Sequence, residues 1–319
     1  MTKYRCIGKG LCGSVWALGS SDVDTGTAVK REDGAPDRSA TNDYNMHLSI
    51  LRSSLTHPLS TPLSIPKCHQ LFQATDTWWQ TRLPQFPVVY SASKLSSLNA
   101  SQKVPRSTSN KIVVLFCTGN TPLSDFVKTN ADDDACLIRP YLGRRRRYKY
   151  GASTSMFQRF SLRDVPLHVD QMEALDLDTN AYAETMADVL ALMHWGAKID
   201  ANDVEFVLAP SREMQPSGSP VSRFDYLGSH SMWILDFDCC RDLSMDDAGI
   251  EQACAAFHKN DPFYPRPGSD EAADERLSVV FKKRFLQTSG TMLGERSEDK
   301  RYLAEKLVET IEKKRLVSS

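Results

Sequence analysis

The sequence predicts a two-lobed α+β fold, with a β-rich N-terminal lobe over residues 1–140 and a mainly helical C-terminal lobe over 141–319. Three observations predict it. Short β-rich runs around closely spaced glycines dominate the first half, whereas apolar residues recur at helical spacing in the second. The length of 319 residues, with 41% apolar and 25% charged residues, suits two packed units or one large α/β domain.

Each element follows from local pattern. Tyr4-Arg5-Cys6-Ile7, running through closely spaced glycines to Val15-Trp16-Ala17, and then Thr27-Ala28-Val29-Lys30 read as strand, glycine-rich hairpin, strand. Between Asn42 and Leu51, the residues Tyr44, Leu48 and Leu51 share one helical face, and Thr56-His57-Pro58 ends the helix. Phe86–Tyr90 and Lys111–Phe116 are β-rich; the Ser-rich stretch from Ser91 to Asn110 reads as an insertion without fixed structure. Asp132-Asp133-Asp134 leads into Leu137–Gly143, a crossover between lobes. Leu167–Leu175 and Ala181–Trp195 are amphipathic, the latter closed by Gly196. Val204–Leu208 and Met232–Asp238 are short buried strands flanking a long loop, Ser211–Gly228. Two helices finish the chain, around Ile250–His258 and from Asp299 to Leu316, separated by Asn260–Pro267.

Composition bounds the partners. Lys+Arg total 39 against 40 for Asp+Glu, a net charge of −1, so affinity for nucleic acid or membrane must come from a local patch. No run of eighteen apolar residues occurs, and neither a membrane nor a DNA partner is expected. The N-terminus lacks an apolar leader, which makes the cytosol the expected compartment. The eight cysteines form no C-x-x-C pair, and Cys239-Cys240 point apart, so buried thiols are expected rather than a zinc site.

Gly8-x-Gly10-x-x-Gly13-x-Val15, followed by Ala28-Val29-Lys30, resembles the opening of protein kinases. There a glycine hairpin covers nucleotide phosphates and a strand lysine meets their charge. Asp200 and Glu205 occupy the places of the kinase base and metal-binding Asn, and Ile234-Leu235-Asp236-Phe237-Asp238 is similar to the metal-holding strand end. The departures are specific: no His-Arg precedes Asp200, Asn is replaced by Glu205, and no Glu between Ala35 and Ser60 pairs with Lys30. This resemblance implies a protein-kinase-like fold more than protein-kinase activity.

A narrower resemblance covers residues 135–290. Phe160–Leu167, Met193-His194-Trp195, Asp200–Leu208, Trp233–Asp238 and Asn260–Pro267 fall in the order found in a fungal family catalogued as a domain of unknown function and often labelled zinc finger. Proteins similar to it include the arginine-containing cyclodipeptide synthases. The resemblance implies arginyl-tRNA and a second aminoacyl-tRNA as partners, no cofactor, and a cyclo-arginine-Xaa diketopiperazine as product. The alternatives are an ATP-dependent small-molecule phosphotransferase, which would use Mg-ATP, and a catalytically silent pseudokinase-like binding protein.

Candidate site residues follow. Asp200, Asp203 and Glu205 are the candidate catalytic carboxylates; Asp236, Asp238 and Arg163 are candidates for substrate binding. Glu205 ranks first, because its apolar strand neighbours make a bare charge costly. Such a group suits Mg²⁺ with a nucleotide, a guanidinium with an α-ammonium, or salt bridges to Arg163, Arg212 or Arg241. Arg144, Arg145, Arg146, Arg147 and Lys149, interleaved with Tyr148 and Tyr150, form the candidate tRNA contact or a solvated loop. Gly8, Gly10, Gly13 and Lys30 are the candidate phosphate contacts. His194 follows the core face of its helix and reads as a packed histidine hydrogen-bonding locally, with a catalytic role the minority reading.

Overall fold

Backbone pairing sorts the strands into two sheets. The computed structural model describes residues 4–9, 13–18, 27–32, 39–73, 88–93, 106–117, 120–130, 137–146, 160–162, 165–210, 227, 230–294 and 298–318. Gly10, Cys12, Arg147, Lys149, Arg163, Phe86, Pro87, Asp132, Asp133, Asp134 and nearly all of Ser211–Gly228 lie outside the described residues.

The first sheet is antiparallel throughout. Its strands β1 (Tyr4–Lys9), β2 (Gly13–Leu18), β3 (Thr27–Glu32), β5 (Cys68–Gln73) and β6 (Val88–Ser93) run in the order β1-β2-β3-β6-β5. Gly13 opens β2 at φ 153°, a value that glycine alone takes without strain. Lys30 stands mid-strand in β3, opposite Val15 and Tyr90. Between β3 and β5 lies helix α1 (Ala40–Thr56), started by Ser39, whose hydroxyl accepts the Asn42 N–H at 3.3 Å. The buried face of α1 is Asp43, His47 and Ile50, one step round from the expected Tyr44, Leu48 and Leu51 face.

The second sheet is mixed, in the order β4-β10-β9-β7-β8. It comprises β4 (Leu63–Ser64), β7 (Ile138–Tyr141), β8 (Val165–His168), β9 (Glu205–Pro210) and β10 (His230–Leu235). The expected division between residues 140 and 141 therefore falls inside β7. Strands β9 and β10 pair antiparallel with Leu235 opposite Glu205, so the chain before Glu205 and the chain after Leu235 emerge side by side. Both faces of β9 are covered: Phe206 and Leu208 join the main core, while Val207 packs with Ala209 and Trp233.

The helices are α2 (Arg106–Phe116), α3 (Thr121–Thr129), α4 (Val169–Ala174), α5 (Thr179–Ala191), α6 (Asp247–Lys259), α7 (Ala272–Leu293) and α8 (Glu298–Ser318). The run Lys111–Phe116, expected as a strand, is the C-terminal half of α2. Its buried residues Thr108, Ser109, Ile112 and Val113 recur at helical spacing, a stripe that begins in the polar stretch upstream. Helix α7 is also unexpected; its face Leu277, Phe281 and Phe285, one residue per turn, packs the core. On α5, Asp188 is 1% exposed and receives Arg284 at 2.7 Å on each oxygen, with Thr288 and Thr61 also donating.

Helix α5 passes into a π turn over Leu192–Gly196. A side chain at Gly196 would strike Ser53 of α1, so this glycine permits the close approach of the two elements as well as ending the helix. None of the described helices is long and apolar enough to cross a membrane.

His194, inside the π turn, is 1% exposed and edge-on to Trp195 and Phe285, the packed position expected for it. Burial lowers its pKa to about 4. Between pH 6.5 and 4 the unfolded chain binds a proton there that the folded chain refuses, so stability falls as pH falls through that window. The shift corresponds to about 3 kcal/mol. Urea titrations at pH 7 and pH 4.5 should show a smaller pH-dependent loss for His194→Leu than for the wild type, whatever the variant's stability at pH 7.

Candidate functional site

The centre is a single ammonium shared by three carboxylates. Lys30 Nζ lies 2.5 Å from Asp43 Oδ2, 2.5 Å from Asp236 Oδ1 and 3.7 Å from Asp238 Oδ2. One group comes from the first sheet, one from α1 and two from the turn after β10. Asp43 and Asp238 are buried, and Lys30 and Asp236 are partly so. Burial raises the Asp43 pKa; Lys30 opposes this, and the nearby Asp236 and Asp238 add to it.

Asp43 is the helix partner of Lys30 that the search for a glutamate missed. An aspartate is shorter, but Asp43 also accepts the Phe237 N–H at 3.2 Å, which draws the strand-end turn against α1. The available signal was the 43/47/50 stripe, a polar one. Its neighbour Asn42 donates to the carbonyls of Asp238 and Cys240 at 2.9 Å each.

The loop before β9 is built from left-handed residues. Lys198, Ala201 and Asp203 have φ of 55°, 58° and 62°, and Asp236 opposite has 64°. L-residues hold such angles only where surroundings fix them. Asn260 supplies that constraint: its Oδ1 accepts the Asp203 N–H at 2.6 Å, and its Nδ2 donates to Ala201 and Val204. Asn202 Nδ2 donates to the Cys239 carbonyl at 3.1 Å, joining this loop to the turn after β10.

The five candidate acids therefore divide. Oxygens of Asp43, Asp236 and Asp238 lie within 4.8 Å of one another, and so do ligand atoms of Asp203, Asp238 and Cys239. Asp200 is turned elsewhere: one oxygen accepts the N–H groups of Asn202 and Arg241, and the other accepts Gln252 Nε2 at 2.9 Å. It fastens the loop to Arg241 and α6. Glu205 pairs with Arg139 of β7 at 2.9 Å. Both lie on the β9–β7 face away from the main core, so Glu205, ranked first from sequence, has a neighbouring-strand guanidinium among its partners. Arg139 is a partner not considered from sequence; the expected partners Arg163 and Arg212 lie outside the described residues.

The oxygen-rich pair Asp203 and Asp238 suits a hard cation or an organic cation, with Cys239 as an additional soft donor. Among the described residues, neither group offers the two close Cys or His pairs of a structural zinc site.

In the basic tract, the described residues Arg144, Arg145 and Arg146 each pair with an acid. Arg145 forks between Glu173 at 2.6 Å and Asp274 at 2.7 Å, and Arg146 pairs with Asp170 at 3.0 Å. Arg144 pairs with Asp261 but is the most exposed of the three. In the glycine hairpin, Gly8 lies in β1 and Gly13 opens β2.

A family model, DUF3669, described as "Zinc finger protein", matches residues 232–297. That stretch holds β10, the acidic turn, α6, Asn260 and α7. No curated protein matches. A solved structure titled "Structure of the microcompartment-associated aminopropanol kinase" is similar at 11% identity, over 99% of this chain and 93% of that chain, with a TM-score of 0.26. A likeness at that score bears on neither fold nor activity.

Lys30→Met should destabilise the fold by about 3–5 kcal/mol, the usual cost of leaving a buried carboxylate without its cation. Lys30→Met/Asp43→Leu should recover much of the loss. Urea denaturation of both variants checks this, and equal loss in the two would separate Lys30 from Asp43 energetically.

Proposed function

We propose that the chain is an aminoacyl-tRNA-dependent synthase of arginine-containing cyclodipeptides, built on a two-lobed, protein-kinase-like scaffold. The observation that carries the reading is the convergence of its resemblance-bearing segments, Asp200–Leu208, Trp233–Asp238 and Asn260–Pro267, on one acidic centre. The family match over 232–297 carries the same zinc-finger description as the family resembled, and it covers two of those segments.

The chemistry asked of such a centre is light. The α-amine of one aminoacyl group attacks the ester carbonyl of the other; a C–N bond forms, the C–O bond breaks, and the tRNA hydroxyl leaves with a proton. The new amine terminus then attacks its own ester and closes the ring, releasing the second tRNA. Each ester is already activated, so positioning and a proton acceptor suffice. Asp203, exposed at the loop tip, accepts the amine proton, while Asp238 and Asp236 hold the cationic side chain beside Lys30. Asp200 and Glu205 act as positioning residues in this reading, through Arg241 and Arg139.

A second reading is favoured by one observation, the bridge from Lys30 to both Asp43 of α1 and Asp236 after β10. In a phosphotransferase that lysine meets nucleotide phosphates, and Asp236 and Asp238 hold Mg²⁺.

Incubation of the purified protein with arginyl-tRNA and mixed aminoacyl-tRNAs, with and without ATP, distinguishes the two by mass. A diketopiperazine formed without ATP supports the synthase; ATP-dependent phosphorylation of an added alcohol or amine supports the phosphotransferase; neither product leaves a binding protein. In an active synthase, Asp203→Asn should lower turnover by about 10²–10⁴. Arg144→Ala should weaken tRNA binding and reduce its salt slope by about 1. Arg145 and Arg146 are unsuited to that test because their loss also frees Glu173, Asp274 and Asp170.

A further inference from the structure

We propose that Asn42 is a positioning residue of the acidic centre: it sets the 236–240 turn by donating its side-chain amide to two of that turn's carbonyls. The turnover arm of the test below rests on the synthase reading; the exchange arm does not.

The turn needs an external constraint. It leaves β10 through Asp236 at φ 64°, a left-handed angle that an L-residue relaxes from unless held. Asp236 and Asp238 take their directions from that backbone, so a relaxed turn moves both carboxylates away from Lys30. Two guanidinium contacts, from Arg241 Nη1 to Asp238 O at 2.9 Å and Cys240 O at 2.8 Å, tighten the turn on itself. Arg241 travels with the turn, however, and cannot fix it relative to α1. Asn42 can. It reaches the same two carbonyls from a separate element, filling the second lone pair of each.

The pair Asn42-Asp43 is complementary to what it faces. The amide meets two acceptors, and the carboxylate meets the Phe237 N–H and the Lys30 ammonium. Helix formation does not account for the amide. Asn42 is the third residue of α1, its N–H already accepted by Ser39, and at that place the helix dipole favours a carboxylate. Aspartate there would suit the helix and set a charged acceptor against two carbonyls. The two demands conflict, which makes the substitution diagnostic.

The experiment is hydrogen exchange on the full chain, comparing wild type with Asn42→Asp, Asn42→Ala and Asn42→Gln. In the Asp and Ala variants, amides of 236–241, Phe237 and Arg241 above all, should exchange roughly tenfold faster, as expected for two lost hydrogen bonds. Peptides from α1 and β9 should keep their wild-type rates. Asn42→Gln retains both donors and should stay closer to wild type than either. In diketopiperazine formation, Asn42→Asp should lower kcat on the order of tenfold with KM little changed, because the carboxylates are misdirected rather than lost. Unchanged exchange at 236–241 in Asn42→Asp overturns the proposal, as does equal acceleration in α1 and β9, which marks general loss of stability. So does a loosened turn with undiminished kcat. A wild-type protein that makes no diketopiperazine overturns the synthase reading instead, and the exchange result alone then decides the positioning of the turn.

Discussion

One ammonium divided among three carboxylates is the constraint around which the rest of the molecule is arranged. At an effective dielectric near 20, two opposite charges about 4 Å apart attract by on the order of 4 kcal/mol, and all three carboxylates lie nearer to Lys30 than that. The carboxylates also repel one another; at Asp43, burial first and then Asp236 and Asp238 raise the pKa against the pull of Lys30. Keeping three such groups together demands that their backbones be fixed from outside. Most of the hydrogen bonds described around the centre serve that end. Asn260 fixes the loop of Asp203, Asn202 joins it to the turn, and Asn42 and Asp43 join the turn to α1.

This explains why several acids that attract notice in the sequence hold the frame. Asp200 accepts three donors and binds the loop to α6. Glu205 lies on the face of β9 away from the main core, where Arg139 of β7 pairs with it. The same economy applies to Arg145 and Arg146, whose partners on α4 and α7 fasten residues 145–146 to the helical part of the chain.

Much of the β-structure was legible, because its signals are local. Glycines mark the β1–β2 hairpin, short apolar runs mark β3 and β9, and Asp236 and Asp238 follow β10 in sequence. What escaped was set by distant parts of the chain. Lys111–Phe116 reads as a strand because its apolar run, Ile112–Phe116, is too short to carry a period of its own; the stripe that makes it a helix begins at Thr108. Asp43 escaped because an amphipathic helix is read by its apolar face, and α1 buries an acid and a histidine instead. The Phe237 N–H that Asp43 accepts lies 194 positions further along the chain, and no spacing rule connects them.

The two-residue strand β4 has a mechanical meaning. It lies on the connection from α1 to β5, yet it pairs with β10, so the chain dips into the second sheet before returning to the first. A second passage runs from α3 to β7. Lys30, whose ammonium reaches Asp236, joins the two sheets off the covalent path. Whatever competes for Asp236 also competes with that link between the sheets.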